Sequence, residues 1–546
     1  MNGPMDTPRI ELTSSEVVIF VAYLLLTVAV GFLVGRKGRR NSRDYFMGDK
    51  RLPWYVVGTS MVATAISSDH FIAQVGAGYT HGIVIAAFGW NAWIVYTLLI
   101  WVFLPYYMRT GLYTMPEFLE RRYNSAARYL FAVFCVIGYL FSLLAGPLYA
   151  GGLALQSMFR IDLMWGIVFL GVLTGAYTIY GGLKSAAWTD FMQMAVLLVG
   201  GILVPVIGLW KVGGLFHLVH EYPEKFQVFH GVKNQMFPFT GVFTSFLSVG
   251  IWYNCTSQHI VQRCLGAKDE WNARMGVVTA GFLHIVLPFL FVVPGIIAFQ
   301  LFPHLPRPDQ SYILLVESLV PRGLRGLILA AIAAALMSHL SAMINSTSTI
   351  LTMDLYKRLL RPGASEASLV RFGQWSGAVV MAMSIAIALW FSTSHSSLFV
   401  LIQEGFAYIA PPFAVIFTTG LLWRRANGVA ALATIAAGFP FTLFLQFYLF
   451  RLPALAPYAN YLHRAVIAWA FCMVVMITTS LLTPAPSPEK TKGIIWSLSY
   501  APLPPAERKR YRGWKDLRIW WLIFISIVLG IYAFFLWFRF QHPEAP

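Results

Sequence analysis

Three runs of small polar and ionisable residues interrupt stretches that are otherwise apolar. The first is Gly58-Thr59-Ser60 followed by Ala63-Thr64-Ala65-Ile66-Ser67-Ser68-Asp69-His70, after which Phe71 and Ile72 resume the apolar character. The second holds Ser248, Gly250, Tyr253, Asn254, Thr256, Ser257, Gln258 and His259, and the third Ser338, His339, Ser341 and Asn345-Ser346-Thr347-Ser348-Thr349. Such runs suit the binding of ions and polar solutes. Hydroxyls combined with the freed carbonyls of an unwound helix make a neutral oxygen cage for a small hard cation. An alkali ion is favoured over a divalent one, because no cluster of bidentate carboxylates accompanies them. Each run taken alone could equally be a Ser/Thr helix-packing face.

The elements that hold these runs are membrane helices. The chain has 546 residues, of which 58% are hydrophobic and 12% charged, and its mean hydropathy is +0.65. A soluble chain carries about 25% charged residues, so a soluble enzyme and a disordered protein are excluded. Four cysteines exclude a disulfide scaffold. With roughly 20 apolar residues per crossing, fourteen spans are expected, from 15–36 to 517–538, including 54–80, 240–262 and 323–353. The first is a full-length span and is expected to be a retained helix.

Sorting the loops alternately by side gives 29 Lys and Arg on one side and 11 on the other. The positive-inside rule then places the rich set in the cytoplasm and both termini outside, at the cell membrane. The net charge of +17 is thereby explained without nucleic acid. The first and second polar runs fall in spans two and seven, five apart. That spacing is what two inverted five-helix repeats with broken helices meeting at the midplane require. Charges at membrane depth cost about 2.5 to 3.5 kcal/mol each, so Asp69, His70, Asp190, His284, His339 and Glu404 each ask for a function.

The expected organisation is an external N-terminus, first helix and basic cytoplasmic loop (1–50); a core (51–425) of two repeats, about 51–210 and 240–425; two accessory helices (426–483); a Pro-rich basic linker (484–516) read as a tether ending at the anionic inner leaflet; and the last helix with an external C-terminus (517–546). The external loop 211–239 carries His217, His220, Glu221 and His230. With no fourth ligand evident, no metal site is expected there.

Further residues carry a family resemblance. Gly181-Gly182-Leu183-Lys184-Ser185-Ala186-Ala187-Trp188-Thr189-Asp190 with Gln193, the segment Trp252-Tyr253 through Val261-Gln262-Arg263-Cys264-Leu265, Asn345 to Tyr356, and Ile402-Gln403 with Pro411-Pro412 together resemble the sodium:solute symporter family, in its sodium-glucose cotransporter branch. The resemblance runs from about residue 15 to 425. It implies an all-α polytopic membrane protein of about 14 transmembrane helices with a LeuT-type 5+5 inverted-repeat core, importing a small polar solute by alternating access coupled to sodium.

The resemblance also implies site residues. Sodium would bind at the backbone of Ala63, Ile66 and Ala335 and at two neighbouring hydroxyls, of which the first is Ser338 and the second is replaced by His339. Asp190 matches the acid at the sodium exit. His70, Tyr253 and Gln403 match residues that hold the substrate or close its inner gate. The family's acidic sugar ligand falls on Gly89, its lysine on His284, its stacking tryptophan on Asn254 and an asparagine on Gly250. The charge-assisted hydrogen bonds expected for glucose are therefore missing. A site of His70, Tyr253, Asn254, His284 and Gln403, with Asp69 as a coupling acid, would suit a sugar, a polyol or a related compound. Asp69, His70, His284 and His339 also admit a protonatable relay, hence the alternative of proton coupling.

Other classes fare worse. No HExxH, GxSxG or Walker motif is present for an enzyme, and no continuous polar pore for a channel. A transporter-like solute sensor would use the same site and stays open. Beyond sodium no cofactor is expected. The partners are the solute, the ion and the lipid bilayer, with no obligate oligomer indicated.

Overall fold

The computed structural model describes residues 12–36, 41–159, 161–232, 234, 236–392, 398–453, 455 and 458–542, with 157–159, 392 and 398–407 described as backbone only. The architecture is all-helical. Among the described residues, β structure is limited to the isolated bridges Leu52↔Ala267 and His230↔Pro238. In chain order the main helices are α1 (Ser14–Gly35), α2 (Trp54–Ala65), α3 (His70–Thr110), α4 (Ser125–Gln156) and α5 (Leu163–Lys211). A series of short pieces, Phe239–Thr244, Val249–Ile251 and Trp252–Thr256, leads into α6 (Gln258–Leu265). Then come α7 (Glu270–Leu301), α8 (Arg325–Leu360), α9 (Glu366–Phe391), α10 (Leu398–Leu422), α11 (Gly428–Arg451), α12 (Tyr461–Leu482) and α13 (Leu517–Gln541).

Ten of the described helices are long and apolar enough to cross a membrane, and the chain is a multi-pass membrane protein. The difference from the fourteen expected segments has identifiable causes. Segments expected as separate neighbours are continuous through glycine corners. Gly182 at φ +61 turns inside the 49-residue α5, and Gly82 at φ +74 turns inside α3. A β-carbon at Gly182 would lie 2.3 Å from the Tyr45 carbonyl, and one at Gly82 2.1 Å from that of Lys225. Glycine is therefore required there by both conformation and space. The polar run in span two leaves only the twelve-residue α2 ahead of α3, the run in span seven cuts its helix into pieces too short to count, and the eleventh expected span is represented by the shorter apolar helix Tyr408–Leu422.

Both breaks are single extended stretches. α2 ends at Ala65, and Ile66 takes φ −93, ψ 130 before the chain re-enters helix. The other interruption is Ser257 at φ −74, ψ 133, between Trp252–Thr256 and α6. Leu52 N–H donates to the Gly266 carbonyl at 3.1 Å and Lys268 N–H to the Leu52 carbonyl at 3.1 Å. The start of the first broken helix thus lies beside the end of the second, and the two run in opposite senses.

Burial identifies the centre. The apolar window of α8 is 94% buried, against 28% for α1 and 22% for α13, so α8 is the inner helix and the other two face lipid. α8 packs along α5 and α2, and its whole polar run from Ser338 to Thr349 is buried. Outside the bilayer region, the Lys225 ammonium donates to the Tyr79 and Thr80 carbonyls at 2.8 and 2.9 Å. It thereby closes the carbonyl end of the first half of α3, where a cation complements the helix dipole. Burial pushes that ammonium down from its usual value.

The stretch 484–516 differs from the expected tether by being docked. Trp496 N–H donates to the Leu421 carbonyl at 2.8 Å and its indole to the Trp101 carbonyl at 3.0 Å. Tyr511 stacks on Trp271 at 4.1 Å, and Glu507 accepts from Trp271 N–H at 2.8 Å. Proline content suggested an extended spacer; the aromatic and charged side chains between the prolines supply the anchors.

Candidate functional site

The break after α2 frees carbonyl oxygens that face α8. The Ser338 hydroxyl lies 2.7 Å from the Ala63 carbonyl and 3.0 Å from that of Ala335. It has one hydrogen to donate, which the two carbonyls share, so hydroxyl and carbonyl oxygens of the two helices converge here. Ala63, Ile66, Ala335, Ser338 and His339, predicted separately along the chain, are all buried. Four of them meet at this interface, with Ile66 as the extended residue of the break.

His339 is placed differently from a ligand waiting for an ion. Its Nδ1 lies 2.7 Å from the Thr64 carbonyl and its Nε2 2.8 Å from the Leu143 carbonyl, tying α8 to α2 and α4. Carbonyl oxygens only accept. Both ring nitrogens can be satisfied together only as donors, that is, as the imidazolium; a neutral ring satisfies one carbonyl and opposes the other.

Asp190, on α5, is buried beside the same elements. The Ser60 hydroxyl donates to its Oδ2 at 2.6 Å, Ser341 to its Oδ1 at 3.4 Å, and Arg263 Nη2 lies 3.6 Å away. Arg263 Nε also donates to Ser60 Oγ at 3.4 Å. One buried ion pair therefore joins α5, α2, α6 and α8. The sequence presents Ser60 only as part of the first polar run and Arg263 only as part of a family motif, although an arginine one turn after His259 in a membrane helix is itself a request for a carboxylate.

The expected solute residues fall into two groups. His70 accepts the Ser67 N–H at Nδ1 (3.3 Å), packs edge-on against Phe291 with centroids 5.5 Å apart, and lies within electrostatic reach of His284 and His339. His284 donates from Nδ1 to the Ala280 carbonyl at 2.9 Å and stands edge-on to Tyr96 at 5.4 Å. Tyr253 packs against His259 at 4.9 Å, and Asn254 donates to the Gly250 carbonyl at 3.1 Å, so part of the Asn254 amide is taken by its own helix. The side chains of Gln403 and Glu404 lie outside the described residues. Asp69 is half-buried at the break. No hydrogen bond links Asp69, His70, His284 and His339 into a relay among the described residues, because His339 turns both nitrogens to backbone carbonyls. Thr64 Oγ1, Ser68 Oγ, Gln74 Oε1, Ser248 Oγ and His259 Nε2 are buried without a hydrogen-bond partner among the described residues. Buried polar atoms of this kind ordinarily have one.

Away from the breaks, at the Asp354 end of α8, the helices are latched. Arg128 Nε donates to Asp354 Oδ1 at 2.7 Å, the Thr114 hydroxyl donates to the same oxygen at 2.8 Å, Arg128 also pairs with Glu120, and Arg358 bonds Glu120 at 2.8 Å. The latch joins α4 to α8.

Two helices broken in opposite senses, an oxygen-lined break against a central helix and buried charges in pairs define a membrane transporter rather than an enzyme. The sequence model of the sodium:solute symporter family matches residues 45–438, and the chain belongs to that family. A sodium/glucose cotransporter of Vibrio parahaemolyticus is 33% identical over 501 residues, 86% of this chain and 90% of that one. The sodium/myo-inositol cotransporter 2 of Oryctolagus cuniculus is 31% identical over 549 residues, 91% of this chain and 81% of its own. These relatives put the chain in the sodium-glucose cotransporter-like branch. A Na+-coupled sialic acid symporter, solved in a substrate-bound outward-open state, superposes with a TM-score of 0.78 at 23% identity, covering 87% of this chain and all of that one. That likeness speaks to the fold alone.

Proposed function

We propose that this protein is a secondary active symporter that imports a small polar organic solute, a sugar, polyol or related compound, with sodium by alternating access. Fourteen crossings with both termini external, and repeats of about 51–210 and 240–425, complete the reading; the opposite senses of the two broken helices support it. Sodium sits among the carbonyls of Ala63, Ile66 and Ala335 and the Ser338 hydroxyl, whose lone pairs turn inward when the ion enters, and leaves past Asp190. The observation that carries the proposal is the Ser338 hydroxyl held against two carbonyls at the break of α2. The unpartnered polar atoms beside the breaks, with His70, Tyr253, His284 and Gln403, supply a polar lining for the solute. The named relatives transport glucose and myo-inositol, which directs the first choice of candidates.

Purified protein is to be melted with a panel of hexoses, inositols and sugar acids, each with sodium and with choline. A ligand that binds the native state raises Tm, and the expected result is a solute whose shift needs sodium. If no sodium-dependent shift and no sodium-dependent uptake is found across the panel, the proposal fails. Binding without flux in vesicles would identify a sensor.

The position of His339 favours one second reading. An imidazolium between two carbonyls puts the protein's own positive charge next to the cation cage, so that a proton replaces or accompanies sodium as the coupling ion. Uptake that persists in choline but requires a pH gradient at fixed membrane potential would select it.

A further inference from the structure

The docked strap 484–516 borders an open cavity of about 890 Å³ between its C-terminal part, the end of α3 and the start of α13. The lining carries five cations, Arg109, Arg508, Lys509, Arg512 and Arg518, against the single carboxylate of Asp516. Two of the five are committed elsewhere: Arg109 holds Glu270 at 2.8 Å and Arg518 holds Asp516 at 2.7 Å. Arg508 lies in the field of Asp516. The Lys509 and Arg512 side chains are exposed and make neither a hydrogen bond nor an ion pair among the described residues. The same lining includes the apolar side chains of Trp101, Leu503 and the buried Leu517.

The depth of the cavity is set by α13. Leu517 is that helix's first residue, and Trp514, 79% exposed, accepts the Trp520 indole N–H at its carbonyl at 2.7 Å. Tryptophans at a helix end mark the headgroup level of a bilayer. A lining that combines exposed cations with apolar side chains at that level matches a phosphate-bearing headgroup joined to its glycerol and upper acyl chain.

We propose that this cavity binds one anionic phospholipid of the cytoplasmic leaflet, its phosphate held by Lys509 and Arg512 and its apolar part against Trp101 and Leu503. The placement rests on the cytoplasmic side proposed for the strap; the chemistry of the site does not depend on sodium or solute. Lipid attraction amounts to roughly 1 kcal/mol per basic residue near the surface, so losing two such residues weakens binding by about thirtyfold.

The test titrates the purified full-length protein, without sodium or solute, with dioctanoyl phosphatidylglycerol, dioctanoyl phosphatidylcholine or inorganic phosphate, and reads Tm. A saturable rise with phosphatidylglycerol alone is expected, displaced about thirtyfold in concentration in the double variant K509A/R512A and unchanged in R371A, which removes an exposed arginine elsewhere. An equal rise with phosphatidylcholine, an equal rise with inorganic phosphate, or an undisplaced titration in K509A/R512A overturns the lipid site. Labelling of S499C in sealed vesicles tests the sidedness separately, and solute transport is scored on its own, so failure of one reading does not hide in the other.

Discussion

The two helix breaks are alike in backbone and opposite in what they offer. At Ile66 the freed groups are carbonyls, and α8 meets them with one hydroxyl and one imidazole. At Ser257 the freed groups are closed from within the protein: Tyr139 OH accepts the Gln258 N–H at 3.2 Å, and Ser257 Oγ donates to the Trp252 carbonyl at 3.0 Å. The Gln258 side chain accepts Met115 N–H at 2.8 Å and donates to the Tyr113 carbonyl at 3.2 Å. A break whose carbonyls are met only by exchangeable side-chain donors can offer those oxygens to a cation; a break closed by aromatic and amide groups is a shaped joint between helices. The proposed ion site uses the first break, and the proposed solute lining includes residues beside the second.

The largest effect tests what the breaks share. Arg263 links their inner halves through Ser60 and Asp190, and removing one member of a buried pair costs about 3 to 5 kcal/mol. R263M should therefore lower thermal stability severely, with D190N/R263M recovering part of it. A melting point for R263M close to that of the unaltered protein would mean that the charges are already solvated.

The next prediction separates the breaks. Hydrogen bonds to a charged partner are worth about 1.5 to 3 kcal/mol, so S338A should raise the sodium concentration for half-maximal uptake by about ten- to a hundredfold. Y139F, which removes the hydroxyl at the second break, should leave that concentration nearly unchanged and lower stability by about 0.5 to 1.5 kcal/mol. Equal sodium effects from both variants would erase the distinction drawn between them. H339S sharpens the comparison further. Restoring a hydroxyl and removing a competing donor should lower the half-saturating sodium by up to about tenfold, given one ligand's gain; no change would make the imidazole a harmless neighbour.

The smallest effect is at the latch. Burial alone would raise the Glu120 carboxyl, but Arg358 and Arg128 outweigh it and hold it below its ordinary value. A depressed carboxylate contributes its stability in full above the ordinary glutamate value, and loses it as pH falls through the depressed one. Wild type should thus exceed E120Q by about 0.5 to 1 kcal/mol near neutrality, with the two converging in acid. A constant difference across that range would show that the pair carries no charge-dependent stability.

The sequence was most legible where cost is highest. Polar residues at membrane depth stand out because each needs a reason, so Ser338, His339, Asp69, His70 and Asp190 could be named from composition and family pattern together. The breaks were visible as runs of Gly, Ser and Thr. Less legible were contacts made by backbone: nothing in the sequence said that His339 would use Leu143 and Thr64 carbonyls, because every residue has one. Arg263 does not stand out in the sequence, because it lies inside a family motif that says nothing of its carboxylate partner Asp190. The glycine corners at Gly82 and Gly182 could not be told from short loops, since hydropathy does not register a change of φ. The strap was misjudged from its prolines, while Trp496, Tyr511 and Glu507 decided its course.

α2 has twelve residues, so at 1.5 Å per residue it reaches roughly 18 Å, against a hydrocarbon core of about 30 Å. During synthesis it cannot be recognised and left in the bilayer as an independent unit. It must wait, or enter together with the first half of α3, and its last carbonyls find their partners only when Ser338 and His339 of α8 arrive, roughly 270 residues later. The element on which the proposed ion site rests therefore also makes its own placement a late event in the assembly of the chain.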